Sequence, residues 1–98
     1  MAGAEVVDLR EHFVLPGLID SHVHLSSDLG GAARQLAEVQ MSQADVAYEA
    51  AMNARKTLAA GFTTVRNLGD AQGVVRALRD AINAGKLVGP RILTANTS

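Results

Sequence analysis

The run Pro16-Gly17-Leu18-Ile19-Asp20-Ser21-His22-Val23-His24-Leu25 sets two imidazoles one residue apart at the end of an apolar stretch. On an extended chain successive side chains alternate in direction, so His22 and His24 share one face, about two strand rises apart. Neutral ring nitrogens placed in this way can bind one divalent metal. By the same alternation Asp20 points the same way. It either supports a histidine from behind or caps and bonds the backbone near the strand. For the pair itself the plain alternative is two polar residues facing water at a strand end, because His-x-His alone is a short motif that often matches by chance.

Other residues offer less chemistry. Arg66 follows a β-rich run and carries the charge to meet a substrate carboxylate such as a dipeptide presents, although a surface pair with Asp70 is the plainer account. Ser26 and Ser27 have no base positioned to activate them, which argues against a serine hydrolase. Gly30-Gly31 lacks the Gly-Lys-Ser/Thr ending of a phosphate-binding loop. With no cysteine there is no disulfide, thiolate nucleophile or cysteine-based zinc site. Nine basic against ten acidic residues leave a net charge of −1, with no basic face for nucleic acid. No apolar run approaches the ~20 residues of a membrane span, and the first residues carry charge where a signal peptide needs an apolar core. A cytoplasmic location is therefore expected.

The elements that must position the histidines follow from punctuation and periodicity. Residues 5–9 and 13–15 read as a small hairpin broken by Arg10, Glu11 and His12. Pro16 suits the first position of a strand that carries the histidines. Residues 26–31 are loop-like, and 32–39 are expected to form a short helical turn. Ser42 followed by Asp45 has the form of a capping box. Ala47, Ala50, Ala51, Ala54 and Leu58 then recur at helical spacing until Gly61 stops the helix. Residues 62–65 are rich in β-formers, Asn67 to Asp70 makes a turn, and Val74, Val75, Leu78, Ala81 and Ile82 mark a second helix closed by Gly85. Gly89-Pro90 leads into a third strand at 91–94. Strands separated by helices imply right-handed crossovers and a parallel sheet, whose ligands gather at the carboxyl ends of the strands. The histidine pair lies at such an end.

Three segments in order carry a resemblance. Pro16 to Leu25, Ala60-Gly61-Phe62-Thr63-Thr64-Val65-Arg66-Asn67-Leu68-Gly69, and Ala81 through Leu93 together resemble the amidohydrolase superfamily, in particular its imidazolonepropionase-like and Xaa-Pro dipeptidase branch. The resemblance implies an α/β fold: part of a (β/α)8 TIM barrel, comprising the first two βα units and the third strand. On this basis residues 1–15 are the end of an N-terminal β-sandwich segment, entering as the short hairpin, and residues 16–98 the opening of the barrel. Strands one, two and three fall at residues 17–24, 62–67 and 91–95.

The same resemblance implies a metal-dependent hydrolase acting on the C–N bond of an amide, cyclic amide or dipeptide, with His22 and His24 on a divalent metal, most often zinc, one or two per site. The metal lowers the pKa of a bound water and polarises the scissile carbonyl. The family's further ligands and its general base come from later strands that these 98 residues do not hold. Lys56 and Lys86 fall on or just after helices and His12 in the hairpin turn, so none of them supplies these ligands. Asn67 stands where the family commonly has an acidic residue. A complete barrel takes about 250 residues, so the chain reads as an N-terminal fragment or a truncated homologue. The alternative to an enzyme is a non-catalytic structural fragment whose unpaired strand edges make it a homo-oligomer.

Overall fold

The structure, a computed structural model, describes residues 3–26, 41–70 and 73–95. Five elements follow one another: β1 (Leu18–Val23), α1 (Gln43–Ala59), β2 (Phe62–Asn67), α2 (Val74–Asn83) and β3 (Arg91–Thr94). The strands form one parallel sheet in the order β1-β2-β3. This is the strand–helix–strand–helix–strand order expected. The described residues hold these opening units and no closed barrel.

Each helix begins where local chemistry satisfies its first amide groups. At α1, Ser42 Oγ accepts from the Asp45 N–H, and the Asp45 carboxylate accepts from the Ser42 N–H, a reciprocal capping box. The same carboxylate also accepts from the Ser42 hydroxyl at 2.8 Å, and the backbone and hydroxyl bonds from Ser42, the backbone one first, hold the Asp45 carboxyl below its ordinary range. The helix ends at Gly61, whose φ of 102° lies where only glycine is unstrained. At α2 the N-cap is Gly73, which offers no side chain. The buried carboxylate of Asp70 serves instead, accepting from the N–H groups of Val75 at 2.8 Å and Arg76 at 2.9 Å.

The core lies between the helices and one face of the sheet. Ala50 and Ala54 of α1 and Val74, Val75 and Leu78 of α2 pack with Val65, Ile92 and Leu25. Alanine at the α1 positions lets that helix come close to the sheet, and burying these apolar side chains is the main drive for folding. Gly17 lies so close over Thr63 that a Cβ there would overlap the threonine side chain, which fixes the approach to β1.

The expected hairpin is not observed. Residues 3–17 form no strand, and Val6, Phe13 and Leu15 are exposed. A lone two-stranded hairpin is marginal in water, and no described strand lies beside it to complete a sheet. The helical turn expected at 32–39 falls outside the described residues.

Candidate metal centre

β1 delivers the histidines to the open face of the sheet. Val23, between them, pairs with Asn67 and packs against the core, so alternation turns both rings away from the helices. The rings meet edge to face, with centroids 5.2 Å apart and planes at 73°. Their Nε2 atoms are 3.3 Å apart. Without an ion, this approach requires one ring to donate and the other to accept. With one, the two nitrogens would be the groups to hold it. A tetrahedral ion bonded to nitrogen at about 2.0–2.1 Å holds two ligand nitrogens about 3.3 Å apart. Donor type and spacing are therefore compatible with a divalent ion. Among the described residues no third histidine or acid joins them.

Asp20 departs from the expected row. β1 advances three residues, Asp20 to Val23, while β2 advances two, Val65 to Asn67. The extra residue is a bulge, and it sets Asp20 opposite Val65 rather than in line with the rings. Its Oδ1 accepts from the His22 backbone N–H at 3.0 Å. Asp20 thus holds the main chain of a histidine and not its ring.

Arg66 shares the histidines' face, since it alternates with the buried Val65 and Asn67. Its Nε donates to the Ser21 carbonyl at 2.7 Å, across to β1. Asp70 is turned into the helix terminus, so the surface pair between these two residues does not form. Among the described residues the terminal guanidinium nitrogens of Arg66 have no partner.

Two asparagines not singled out as site residues secure the exit from β1. Leu25 follows His24 directly and lies beyond the strand. Its N–H donates to Asn67 Oδ1 at 2.8 Å, and its carbonyl accepts from Asn53 Nδ2 at 2.8 Å. Asn67 Nδ2 also donates to the Gly69 carbonyl at 3.3 Å. Both side chains are buried. The only cue in the sequence was Asn67 itself, a polar residue ending an apolar strand. Its partner lies 42 residues away.

The chain belongs to the Amidohydrolase family, which it matches over residues 13–98. Among solved structures it is similar to a Xaa-Pro dipeptidase with methionine bound in the active site, at 46% identity and a TM-score of 0.84, over 94% of this chain and 22% of that one. It is also similar to an amidohydrolase, at 30% identity and a TM-score of 0.81, over 100% of this chain and 22% of the other. A prolidase complexed with N-methylphosphonate-L-proline matches at 29% identity and a TM-score of 0.79, over 96% of this chain and 22% of that one. The chain therefore spans about a fifth of the length of these structures. No curated protein matches it. No described helix is long and apolar enough to cross a membrane.

Proposed function

We propose that this chain supplies the first corner of a metal-dependent hydrolase site that cleaves the C–N bond of a small amide or dipeptide. The observation that carries this reading is the 3.3 Å approach of the His22 and His24 Nε2 atoms at the carboxyl end of β1. Family membership and the likeness to a Xaa-Pro dipeptidase support the reaction class and favour a dipeptide over a cyclic amide. His22 and His24 would hold a divalent ion such as zinc, with which donor type and spacing are compatible. When bound, such an ion activates water and polarises the carbonyl to be cleaved. Asp20 keeps the His22 backbone in place. Arg66, anchored through Nε, offers its guanidinium edge, without a partner among the described residues, to the substrate carboxylate on the same face. On this reading residues 16–98 are the start of the barrel and residues 1–15 the end of a sandwich segment.

Calorimetric titration of zinc into the chain, beside His22→Ala/His24→Ala, tests the assignment. Stoichiometric binding that vanishes in the double variant is expected. Equal binding by the two chains sinks it. Titrating N-acetylproline into the zinc-loaded chain then tests Arg66, whose replacement by alanine should abolish the response.

A second reading has its own support. Ile19 and Leu93, on the same face as the histidines, are 72% and 57% exposed. A chain with that face open can act as a self-associating structural unit without activity.

A further inference from the structure

The residue paired with Val23 also holds Leu25, so one residue brackets His24, through its backbone on one side and its side chain on the other. In the ladder Asn67 stands opposite Val23, immediately before the histidine. Through Oδ1 it takes the N–H of Leu25, immediately after. Asn53, from α1, takes the Leu25 carbonyl. β1 has ended by then, so the backbone at 25 has no ladder partner of its own, and these amides replace the missing ladder.

We propose that Asn67, with Asn53 behind it, is a positioning residue that sets the His24 ring against His22 and so presets the nitrogen separation a metal needs. An asparagine suits the task because one amide supplies an acceptor and a donor. Asn67 spends the acceptor on Leu25 and the donor on Gly69, tying the histidine strand to the β2–α2 turn. Freed from this hold, the chain after Val23 can rotate and His24 leaves its partner. The proposal rests on the metal reading for its purpose. Its geometric content, that Asn67 fixes the ring pair, stands apart and is measurable without metal.

The test uses the 98-residue chain as wild type, Asn67→Leu, Asn67→Ser, Asn67→Asp and Asn53→Leu, with Leu78→Ala as a core variant remote from the histidines. Nuclear magnetic resonance of the metal-free chain reads the contact between the two imidazoles and the exchange protection of the Leu25 amide. Zinc affinity is read by competition with a chelator under conditions where circular dichroism shows each variant folded. In Asn67→Leu, Asn67→Ser and Asn53→Leu the ring contact should disappear and zinc affinity should fall about 10-fold or more, the scale seen when groups behind a ligand are removed. Asn67→Asp keeps the acceptor for Leu25 and should retain both contact and affinity. Leu78→Ala should lose stability and keep both. Should Asn67→Leu fail to fold, Asn67→Ser, which is smaller and too short to reach Leu25, carries the comparison. Folded Asn67 variants that keep the ring contact overturn the proposal, as does an equal loss of affinity in Leu78→Ala. Absence of zinc binding by the wild type overturns the metal reading alone, because the ring contact still decides the positioning role.

Discussion

At the scale of single residues, polar side chains here are committed to the backbone more than to one another. Asp20 takes an amide of β1, Asn67 and Asn53 take both polar groups of Leu25, and Asp70 takes two amides of α2. Asp70 shows the energetic logic. Its carboxylate is 1% exposed, and a buried charge is tolerable only when hydrogen-bonded. Here two N–H groups and the positive end of a helix meet it. Asp70→Ala strands those amides and should destabilise the fold by about 1–2 kcal/mol, as loss of a helix cap does. Asp70→Asn retains one acceptor and should cost less. Urea unfolding of the three chains checks this, and an unchanged midpoint in Asp70→Ala would show that the amides find water instead. None of this was legible beforehand. Asp70 looked like a surface partner for Arg66 because both are charged and four residues apart. The glycine at the α2 N-cap, which leaves the terminus for Asp70 to satisfy, becomes meaningful only once the turn has folded back.

At the scale of elements, sequence was a good guide wherever the deciding interaction is short in range. The start of α1 was legible because a capping box operates across three residues, and its end because a glycine marks the left-handed position. The three strands were legible from short apolar or β-rich runs set off by proline and glycine and separated by helical periods. The bulge in β1 was not, since it arises from fitting β1 to β2, and with it went the expected alignment of Asp20 with the rings. The hairpin at 5–15 is not observed for the opposite reason: its short apolar runs are real, but a strand is stable only against a partner. The capping box also carries a pH dependence. The folded Asp45 carboxyl lies below 3.8 because Ser42 bonds favour its charged form. A lowered pKa means that the folded state binds fewer protons, so the contribution is fully present above the unfolded value of about 3.9. It is lost as pH falls through the lower, folded value. The stability gap between wild type and Asp45→Asn should therefore be constant near neutrality and close below pH 3.8. Thermal unfolding followed at 222 nm across that range measures it, and a gap that persists in strong acid would mean that the cap does not depend on the charge.

For the molecule as a whole, the question is what covers the second face of the sheet. The helices bury Val65 and Ile92 on one side. On the other, the register lines up Ile19 with Thr64, and Arg66 with Leu93, in the rows that carry the histidines. Parallel sheets are ordinarily covered on both faces, and here neither β1 nor β3 has a second neighbour among the described residues. An exposed apolar face between two open edges is a template for pairing. The 98-residue chain should therefore associate with itself, bringing open faces or edges of two copies together. Light scattering across a concentration series should give a mass above 10.2 kDa that falls on dilution. Ile19→Lys and Leu93→Lys each place a charge on the open face and should shift the chain toward monomer, while Val88→Lys, exposed but outside the sheet, should not. Because the same face presents His22 and His24, association and zinc should compete or cooperate according to whether copies bury the rings or share the ion between them. A zinc titration read by mass separates these. Dissociation on adding metal means that the pair faces inward in the oligomer, and tightening means that the ion bridges copies. A monomer at every concentration would show that the open face is tolerated in water and would remove the structural-unit reading.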